Sequence, residues 1–207
     1  MDEAKRGAIL NISYLFSSQP VLETERLILR RLQPADANEY FHFASDPLIA
    51  THTMWSFHET VEDTKAYLDK LENKYEQKTA YHWAIHNKQN RLVVGRTGFI
   101  RFDHTHDSTE IGFVVSREYW KQGIMTEATR AIIEYGFEEL GVNRIESRCN
   151  EDNIGSERVM QKLDMNFEGI LREQLKIKGE YVNQKMYAIL KRDFEGHRAS
   201  LSGKGAK

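Results

Sequence analysis

Hydrophobic and polar positions repeat along the chain with two periods, one typical of strands and one typical of helices. A period of two predicts strands in LETERLILRRL, AYHWAIHN, RLVVGRTGFIRFD, TEIGFVV and RIESRCN, and a final hairpin of FEGILREQLKI and EYVNQKMYAIL. A helical period marks QPADANEYFHFA, the charged segment Glu59–Gln77, the segment after Gly123 and the short NIGSERVMQKL. This order predicts an α/β (α+β) fold with a central, mostly antiparallel mixed sheet of about seven strands flanked by helices.

The two ends of the chain are less patterned than its middle. Residues 1–20 are predicted to form an N-terminal extension, residues 21–194 a single domain, and residues 195–207 (EGHRASLSGKGAK) a flexible polar tail. The stretch SDPLIATHTMWSF is expected to be irregular. We therefore predict one domain with an accessory segment at each end.

Composition narrows the class of protein. Hydrophobic residues make up 40% and charged residues 29%, and the net charge is −2, so there is no basic field that would favour nucleic acid. No run approaches the roughly 18 apolar residues that span a membrane. The single cysteine, Cys149, lies in a strand-like run and is expected to be a packed thiol in a reducing compartment. We predict a cytoplasmic protein without nucleic-acid or membrane partners.

A glycine at the start of a long amphipathic segment suggests a binding site. If Gly123 caps that helix, the amides of Ile124, Met125 and Thr126 have no intrahelical partners, and the dipole adds positive potential. Such amides bind phosphate, and Lys121 would add a charge and the Thr126 hydroxyl a donor. The alternative is a plain glycine turn, which is common before helices.

The motifs around this glycine resemble a known family. EIGFVVSREYWKQGIMTEATRAIIEYGFEELG and its continuation to NFEG are similar to the core of the GNAT superfamily of acetyl-CoA-dependent N-acetyltransferases. TERLILRRLQPADA matches the opening TERLxLRxLxxxDA of the RimJ/RimL-like branch, which acetylates ribosomal-protein N-termini, and KGEYVNQKMYAIL matches its closing hairpin. The similarity extends from about Leu22 to Asp193.

This resemblance implies a GNAT-like fold, with the strands ending at Val115 and Cys149 running parallel and splaying to admit coenzyme A. It implies a diphosphate on the amides of the loop and a pantetheine arm along the preceding strand, with amides near Val114 polarising the thioester carbonyl. The cofactor-binding residues are then Phe113, Val114, Val115, Lys121, Gln122, Gly123, Ile124, Met125, Thr126, Asn153 and Ser156. Met125 stands where the family has a small residue.

Two glutamates are candidates for the general base. Glu110 shares a strand face with Gly112 and Val114, in the position where many GNAT enzymes hold their base; the alternative is a solvent-facing strand residue. Glu173 alternates with Leu171 and is expected to face apolar surroundings, with a structural ion pair as its alternative.

Asn153 and Ser156 are one helical turn apart and share a face. The resemblance places Asn153 on the pantetheine and Ser156 near the sulfur, where its hydroxyl could protonate the leaving thiolate. The simpler reading makes Asn153 a helix cap. Met160 stands where many relatives carry a tyrosine acid.

The function predicted is transfer of acetyl from acetyl-CoA to a primary amine, foremost a protein N-terminal α-amine. A small amine (an antibiotic, a polyamine or an amino acid) and a non-catalytic coenzyme A-binding regulator are the alternatives. His104 and His106 lack a third ligand in sequence, so no metal is expected. His52, Trp55 and His58 are either acceptor-binding or packing residues. A homodimer is retained as an alternative to a monomer.

Overall fold

The computed structural model describes the backbone of residues 11–202 and the side chains of residues 11–196. Within these residues it contains one eight-stranded mixed sheet of order β1-β2-β3-β4-β5-β6-β8-β7. The strands are β1 Leu22–Glu23, β2 Leu27–Arg31, β3 Tyr81–Asn87, β4 Val93–Asp103, β5 Ser108–Val115, β6 Arg144–Asn150, β7 Asn166–Ile177 and β8 Glu180–Leu190. The predicted fold class is confirmed.

The additional strand comes from a turn inside the first predicted strand. The Thr24 amide donates to the Leu27 carbonyl at 3.0 Å, and the Leu27 amide donates to the Thr24 hydroxyl at 3.1 Å. These bonds close a short hairpin, so LETERLILRRL forms β1 and β2, paired antiparallel.

Helices cover both faces of the sheet. They are α1 Ile12–Ser18, α2 Ala37–Ala44, α3 Pro47–Ala50, α4 Val61–Glu76, α5 Ile124–Tyr135, α6 Ile154–Lys162 and α7 Lys191–Ser202. A π turn, Gly136–Leu140, continues α5, and α4 begins at a capping box between Thr60 and Asp63. The larger buried cluster joins α5 to the sheet and includes Ile111; the smaller cluster lies around α2 and α4.

A helix extends into each of the two predicted end segments. Helix α1 lies within the predicted N-terminal extension, yet Ile12 and Leu15 are fully buried in the larger cluster. At the other end, α7 continues through residue 202, so the predicted flexible tail begins inside a helix; the Phe194 ring packs on Phe137 with centroids 5.1 Å apart. Residues 1–10 and 203–207 of the two predicted end segments lie outside the described residues.

The sheet opens between β5 and β6. These are its parallel neighbours, and they pair only at Ser108↔Arg144, Thr109↔Ile145 and Glu110↔Glu146, although both strands continue beyond these positions. The predicted parallel, splayed pair is therefore confirmed. Because the strands are parallel, the N-termini of α5 and α6, which follow them, lie at the same end of the sheet, beside the opening.

No helix of residues 11–202 combines the length and the apolar character that crossing a membrane requires.

Candidate active site

The open edge of β5 offers backbone groups to a ligand. The Ile111 carbonyl accepts from the Ser147 hydroxyl at 3.2 Å, and the Val115 carbonyl accepts from the Trp120 indole N–H at 3.1 Å. Backbone groups of alternate residues point to the same edge of a strand, so Phe113 also points into the opening. Phe113 has no residue of β6 opposite it, which leaves its N–H and C=O for an extended ligand.

The same alternation determines where the backbone groups of Val114 point. The Ser116 amide donates to the Val94 carbonyl of β4 at 2.7 Å, so the even-numbered residues of β5, Val114 among them, direct their backbone groups to β4. The amides near Val114 that point into the opening are therefore those of Phe113 and Val115. The Val114 side chain instead packs beside the α2–α4 cluster, on the opposite face from Phe113.

Gly123 opens α5 with φ of 79°, in the left-handed region that favours glycine. The Glu127 amide donates to the Gly123 carbonyl at 3.0 Å, whereas the amides of Ile124, Met125 and Thr126 donate to no acceptor among the described residues. Three orphan donors at a helix N-terminus match a diphosphate. A plain glycine turn would leave the same amides unpaired, so the anion site stays a prediction that this geometry allows.

The side chains of this loop divide between the core and the solvent. Met125 is buried, and its sulfur accepts from the Thr129 hydroxyl at 3.3 Å, so it leaves the ligand side of the loop clear. Lys121 is exposed with φ of 61°, and the Gln122 amide group donates to the Glu118 carbonyl at 2.6 Å. Thr126 is half-buried.

Arg26 is a residue of this loop that the sequence analysis missed. Its Nη1 donates to the Gln122 carbonyl at 3.0 Å, and its Nε donates to the Glu127 carboxylate at 2.6 Å. A Cβ on Gly123 would lie 3.5 Å from Nη2. Arg26 therefore fixes the loop, and its guanidinium, paired with Glu127, lies beside it. The only sequence signal for Arg26 is its place in the TERL motif, which lies about one hundred residues before the loop.

Glu127 anchors Arg26 in turn. Its carboxylate also accepts from the Thr24 hydroxyl at 2.6 Å and from the Arg26 amide at 2.9 Å. Burial opposes ionisation of this group, but the hydrogen bonds from Thr24 and Arg26 outweigh burial and hold the pKa of Glu127 below its ordinary value. Glu127 is therefore ionised at neutral pH and links the β1–β2 turn to α5.

Glu110 lies where the two strands separate. It is 5% exposed, and its two oxygens accept from Nε and Nη2 of Arg148 at 2.6 and 2.7 Å. Arg101 approaches one of these oxygens at 3.8 Å. The residue therefore does not face open solvent, as the alternative reading required; it is a paired carboxylate at the inner end of the opening.

Glu173 is not placed as predicted. A register shift between Leu171 and Leu175 breaks the alternation of β7, and Glu173 has φ of 50° in the resulting bulge. Its side chain is exposed, so the expected apolar surroundings are wrong. In the sheet order β7 is an edge strand separated from β5 by β6 and β8.

Asn153 and Ser156 lie at the start of α6. The Asn153 side-chain oxygen accepts from the Ser156 amide at 3.0 Å, which is the helix-cap role. The half-buried Ser156 hydroxyl forms no hydrogen bond with the residues that the structure describes. Met160 is fully buried in the larger cluster and carries no acid function.

Across the opening, the β7–β8 hairpin touches α3, because Lys178 Nζ donates to the Ala50 carbonyl at 2.6 Å. In the segment after α3, His58 is buried, and its Nδ1 lies 2.7 Å from the Thr64 hydroxyl. Burial holds the pKa of His58 below its ordinary value, and its ring packs 5.4 Å from Trp55. His58 is thus a neutral packing residue, while His52 is half-buried.

Cys149 was expected to be a packed thiol, and His104 and His106 were expected to bind no metal. Burial and the nearby Glu157 raise the pKa of the buried Cys149 to about 11, so it is a packed thiol. His104 and His106 lie in the β4–β5 turn, and the described part of the chain holds no group of three residues suited to a metal ion.

Comparison with known proteins agrees with this architecture. The family model described as an acetyltransferase (GNAT) domain matches residues 26–166. The uncharacterized N-acetyltransferase p20 of Bacillus licheniformis is 30% identical over 175 residues, which cover 84% of this chain and 98% of p20. The uncharacterized N-acetyltransferase YoaA of Bacillus subtilis is 29% identical, covering 83% of this chain and 97% of YoaA.

A solved structure shows the same fold. The crystal structure of a GNAT-family acetyltransferase from Bacillus anthracis superimposes with a TM-score of 0.74 at 27% identity, covering 84% of this chain and 99% of that one. The family match spans well over half of the chain. The chain therefore belongs to the GNAT acetyltransferase family and is an acetyl-CoA-dependent N-acetyltransferase.

Proposed function

We propose that the acceptor is a protein N-terminal α-amine, of the kind found on ribosomal proteins, and that the enzyme acts in the cytoplasm. The observation that carries this proposal is the pairing of Glu110 with Arg148 at the inner end of the opening. To take a proton, Glu110 must give up one of its hydrogen bonds from Arg148 and accept one from the incoming amine or from a bridging water. The site therefore suits an acceptor that needs little help with deprotonation.

The acidity of the acceptor decides between amine classes. An α-amine with a pKa near 8 is about 10% neutral at pH 7, whereas a lysine-like amine with a pKa near 10.4 is below about 0.1% neutral. Arg148 pairs with Glu110, and Arg101 lies near Glu110 and Glu146, so these carboxylates are already compensated and offer a polycation no free negative charge. These two arguments favour an N-terminal α-amine over a polyamine or an aminoglycoside.

The names of two relatives illustrate both acceptor classes. YdaF of Bacillus subtilis, provisionally named a ribosomal N-acetyltransferase, is 31% identical over 106 residues, or 51% of this chain. The spermidine N(1)-acetyltransferase of Escherichia coli is 25% identical over 122 residues, or 55% of this chain. The higher identity supports the ribosomal class, as does the charge around Glu110.

Acetyl-CoA supplies an activated acetyl thioester, and the geometry fits it at two places. The orphan amides of Ile124, Met125 and Thr126 would hold the diphosphate, with Arg26 and Lys121 beside them. The free edge at Phe113 would hold the pantetheine arm as an added strand. Asn153 would position that arm from α6.

The remaining roles concern protons and charge. Glu110, directly or through water, would take the proton from the acceptor amine. The Phe113 N–H would donate to the carbonyl oxygen as negative charge develops there. The Ser156 hydroxyl would donate a proton to the departing sulfur. Glu173, exposed on the edge strand, is a weaker candidate for the base than Glu110.

The test is a panel of acceptors with release of free thiol as the signal. It contains peptides with free N-termini, the same peptides with blocked N-termini, spermidine, an aminoglycoside and free amino acids. We expect turnover on free peptides alone, with mass spectrometry placing the acetyl group on the α-amine. Turnover confined to small amines would overturn the proposal. Acetyl-CoA binding without turnover on any amine would favour a regulator.

The oligomeric state is a separate prediction. A homodimer remains the alternative to a monomer, and sedimentation of the purified chain at several concentrations distinguishes them. The proposed roles require only one copy. Glu110 and Phe113 lie in β5, and the loop at Gly123 follows that strand in the same chain.

A further inference from the structure

A side chain closes the inner end of the opening between β5 and β6. The backbones separate after their last residue pair, Glu110↔Glu146, and the Ser147 hydroxyl then bridges them by donating to the Ile111 carbonyl at 3.2 Å. Ser147 and Ile111 are each 1% exposed. The space that a ligand can occupy between the two strands therefore ends at the Ser147 hydroxyl.

The surroundings of Ser147 are apolar. It alternates along β6 with Ile145 and Cys149, which belong to the larger buried cluster, as Ile111 does. Glu110 precedes Ile111 in β5, so its side chain points to the opposite face of the sheet. The Ser147 hydroxyl and the proposed base thus lie at the same level of the opening but on opposite faces, and an acceptor at Glu110 leaves the side of Ser147 to the donor.

The direction in which coenzyme A enters is set by α5, whose N-terminus lies at the outer end of the opening. There the Trp120 indole N–H occupies the Val115 carbonyl, so the edge left for a ligand runs inward from the Val115 amide to Phe113. A carrier whose diphosphate is held at the outer end has its acetyl group at the inner end. The acetyl group therefore meets Ser147.

We propose that Ser147 limits the donor to acetyl-CoA by closing the space beyond the thioester. Phe113, whose N–H is the proposed donor to the thioester carbonyl, lies two residues from Ile111, which is about 7 Å along the strand. Contact between a methyl group and the Ser147 hydroxyl takes about 3.5–4.0 Å of this length. The acetyl methyl group fits in the remainder, whereas a longer chain would displace the hydroxyl from the Ile111 carbonyl.

The inference rests on the proposed placement of acetyl-CoA and is independent of the class of acceptor. Ser147→Ala removes one heavy atom, which is about the size of a methylene group, so the propionyl group then fits. Ser147→Thr keeps the hydroxyl and its hydrogen bond to Ile111 and adds a methyl group, so it narrows the same space. The two variants therefore change the selectivity for the donor in opposite directions.

The experiment compares acetyl-CoA, propionyl-CoA and butyryl-CoA as donors, with the most active amine of the acceptor panel. In the wild type we expect kcat/KM for propionyl-CoA to be at least about tenfold below that for acetyl-CoA, since a fitted pocket discriminates one methylene by about 10- to 200-fold. Ser147→Ala should raise the propionyl-to-acetyl ratio of kcat/KM by about tenfold, and Ser147→Thr should lower it. A loss of stability alone would affect both donors equally and leave the ratio unchanged.

Thr109→Ala is the matched control. Thr109 lies two residues before Ile111 in β5, is 3% exposed, and donates its hydroxyl to the Arg101 carbonyl at 2.7 Å. Thr109→Ala takes a buried donor from a strand carbonyl, as Ser147→Ala does, but within the part of β5 that pairs with β6. The propionyl-to-acetyl ratio should therefore stay at its wild-type value.

Two results would overturn the role of Ser147 and leave the proposed acceptor standing. One is equal kcat/KM for acetyl-CoA and propionyl-CoA in the wild type, and the other is an unchanged ratio in Ser147→Ala. Should Ser147→Ala fail to fold, Ser147→Thr decides, because it keeps the hydrogen bond to Ile111; a ratio no lower than that of the wild type would overturn the inference.

An enzyme that turns over no amine would overturn the proposed function without deciding the role of Ser147. Calorimetric titration of the wild type with acetyl-CoA and propionyl-CoA, which needs no acceptor, then makes the comparison. We expect the Kd for propionyl-CoA to be at least about tenfold higher than that for acetyl-CoA. Equal values of Kd would overturn the inference.

Discussion

Glu110 and Arg148 join the two strands at the place where the sheet opens. Glu110 belongs to the last residue pair shared by β5 and β6, and Arg148 lies two residues further along β6 on the same face. Their two hydrogen bonds, at 2.6 and 2.7 Å, therefore span the inner end of the opening. The carboxylate is both a link between the strands and the proposed base.

Glu110→Gln separates these two roles. The amide can keep one hydrogen bond to Arg148 but cannot accept a proton, so we expect kcat to fall by about 10²–10⁴-fold. The affinity for acetyl-CoA should not change, and steady-state thiol release with a peptide acceptor measures the effect.

Glu146→Gln is the control for Glu110→Gln. Glu146 is the register partner of Glu110 and bonds to Arg144 at 2.7 Å, so it shares the strand face without the proposed role. Its substitution should leave kcat within about twofold. Undiminished turnover in Glu110→Gln would show that water or another group acts as the base.

The Ser156 hydroxyl has a proposed role in protonating the thiolate. Because it makes no hydrogen bond with the described residues, Ser156→Ala should leave Tm unchanged and lower kcat by up to about tenfold, a small factor since thiolate is a tolerable leaving group. Asn153→Ala, in contrast, should cost about 1 kcal/mol of stability by removing the cap. If kcat is the same in Ser156→Ala and wild type, solvent supplies the proton.

Glu127 gives a pH-dependent prediction. Its folded pKa lies below the ordinary 4.5, so its ionised form stabilises the fold above pH 4.5, and this contribution is lost as the pH falls through the lower folded pKa. Glu127→Gln should therefore lower the free energy of unfolding at pH 7 by about 1 kcal/mol, which corresponds to a fall in Tm of about 2–4 °C. The magnitude is small because the Arg26 side chain is 44% exposed.

Thermal unfolding of wild type and Glu127→Gln between pH 3 and pH 7 measures this effect. The difference in Tm should narrow below pH 4.5. Glu134→Gln, a substitution on the same helix, should leave Tm unchanged throughout. A difference that stays constant down to pH 3 would contradict the proposed ionic link between Glu127 and Arg26.

Local patterns account for the parts of the fold that the sequence predicted. Period-two alternation is visible within each strand, and a glycine before an amphipathic segment marks the loop at Gly123, so both could be found without the tertiary structure. The splayed pair of parallel strands was predicted from the family resemblance, not from a local pattern. Helix α1 was missed because its buried residues, Ile12 and Leu15, are too few to set a period.

The contacts that complete the site depend on distant parts of the chain. Arg26 bonds to Gln122 across 96 residues, and no spacing rule predicts such a pair. Glu173 was misplaced because a bulge in β7 changes the face of every residue after it, and alternation assumes that no bulge occurs. Sequence thus located the opening and Glu110, but not the arginines that pair around them, Arg26 and Arg148.

Cys149 should be unreactive in the folded protein. Its thiol is buried and its pKa is about 11, so little thiolate forms at pH 8. Alkylation by iodoacetamide should be at least tenfold slower in the native state than in urea, and Cys149→Ala should retain near wild-type kcat. Equal alkylation rates in both states would contradict the buried thiol.

The central claim is that the amides behind Gly123 bind the diphosphate of acetyl-CoA, and the substitution Gly123→Ala tests it. At φ of 79° alanine is strained by about 1–2 kcal/mol, and its methyl group would lie 3.5 Å from the Arg26 guanidinium. Gly141→Ala is the matched control, because Gly141 has φ of 75° at the other end of the same helical segment.

Calorimetric titration of acetyl-CoA into the wild type and both variants is the most direct measurement. Both variants should lose similar stability, but only Gly123→Ala should raise the Kd for acetyl-CoA, by about tenfold or more. Equal affinity in Gly123→Ala and the wild type, or equal losses of affinity in the two variants, would contradict the claim.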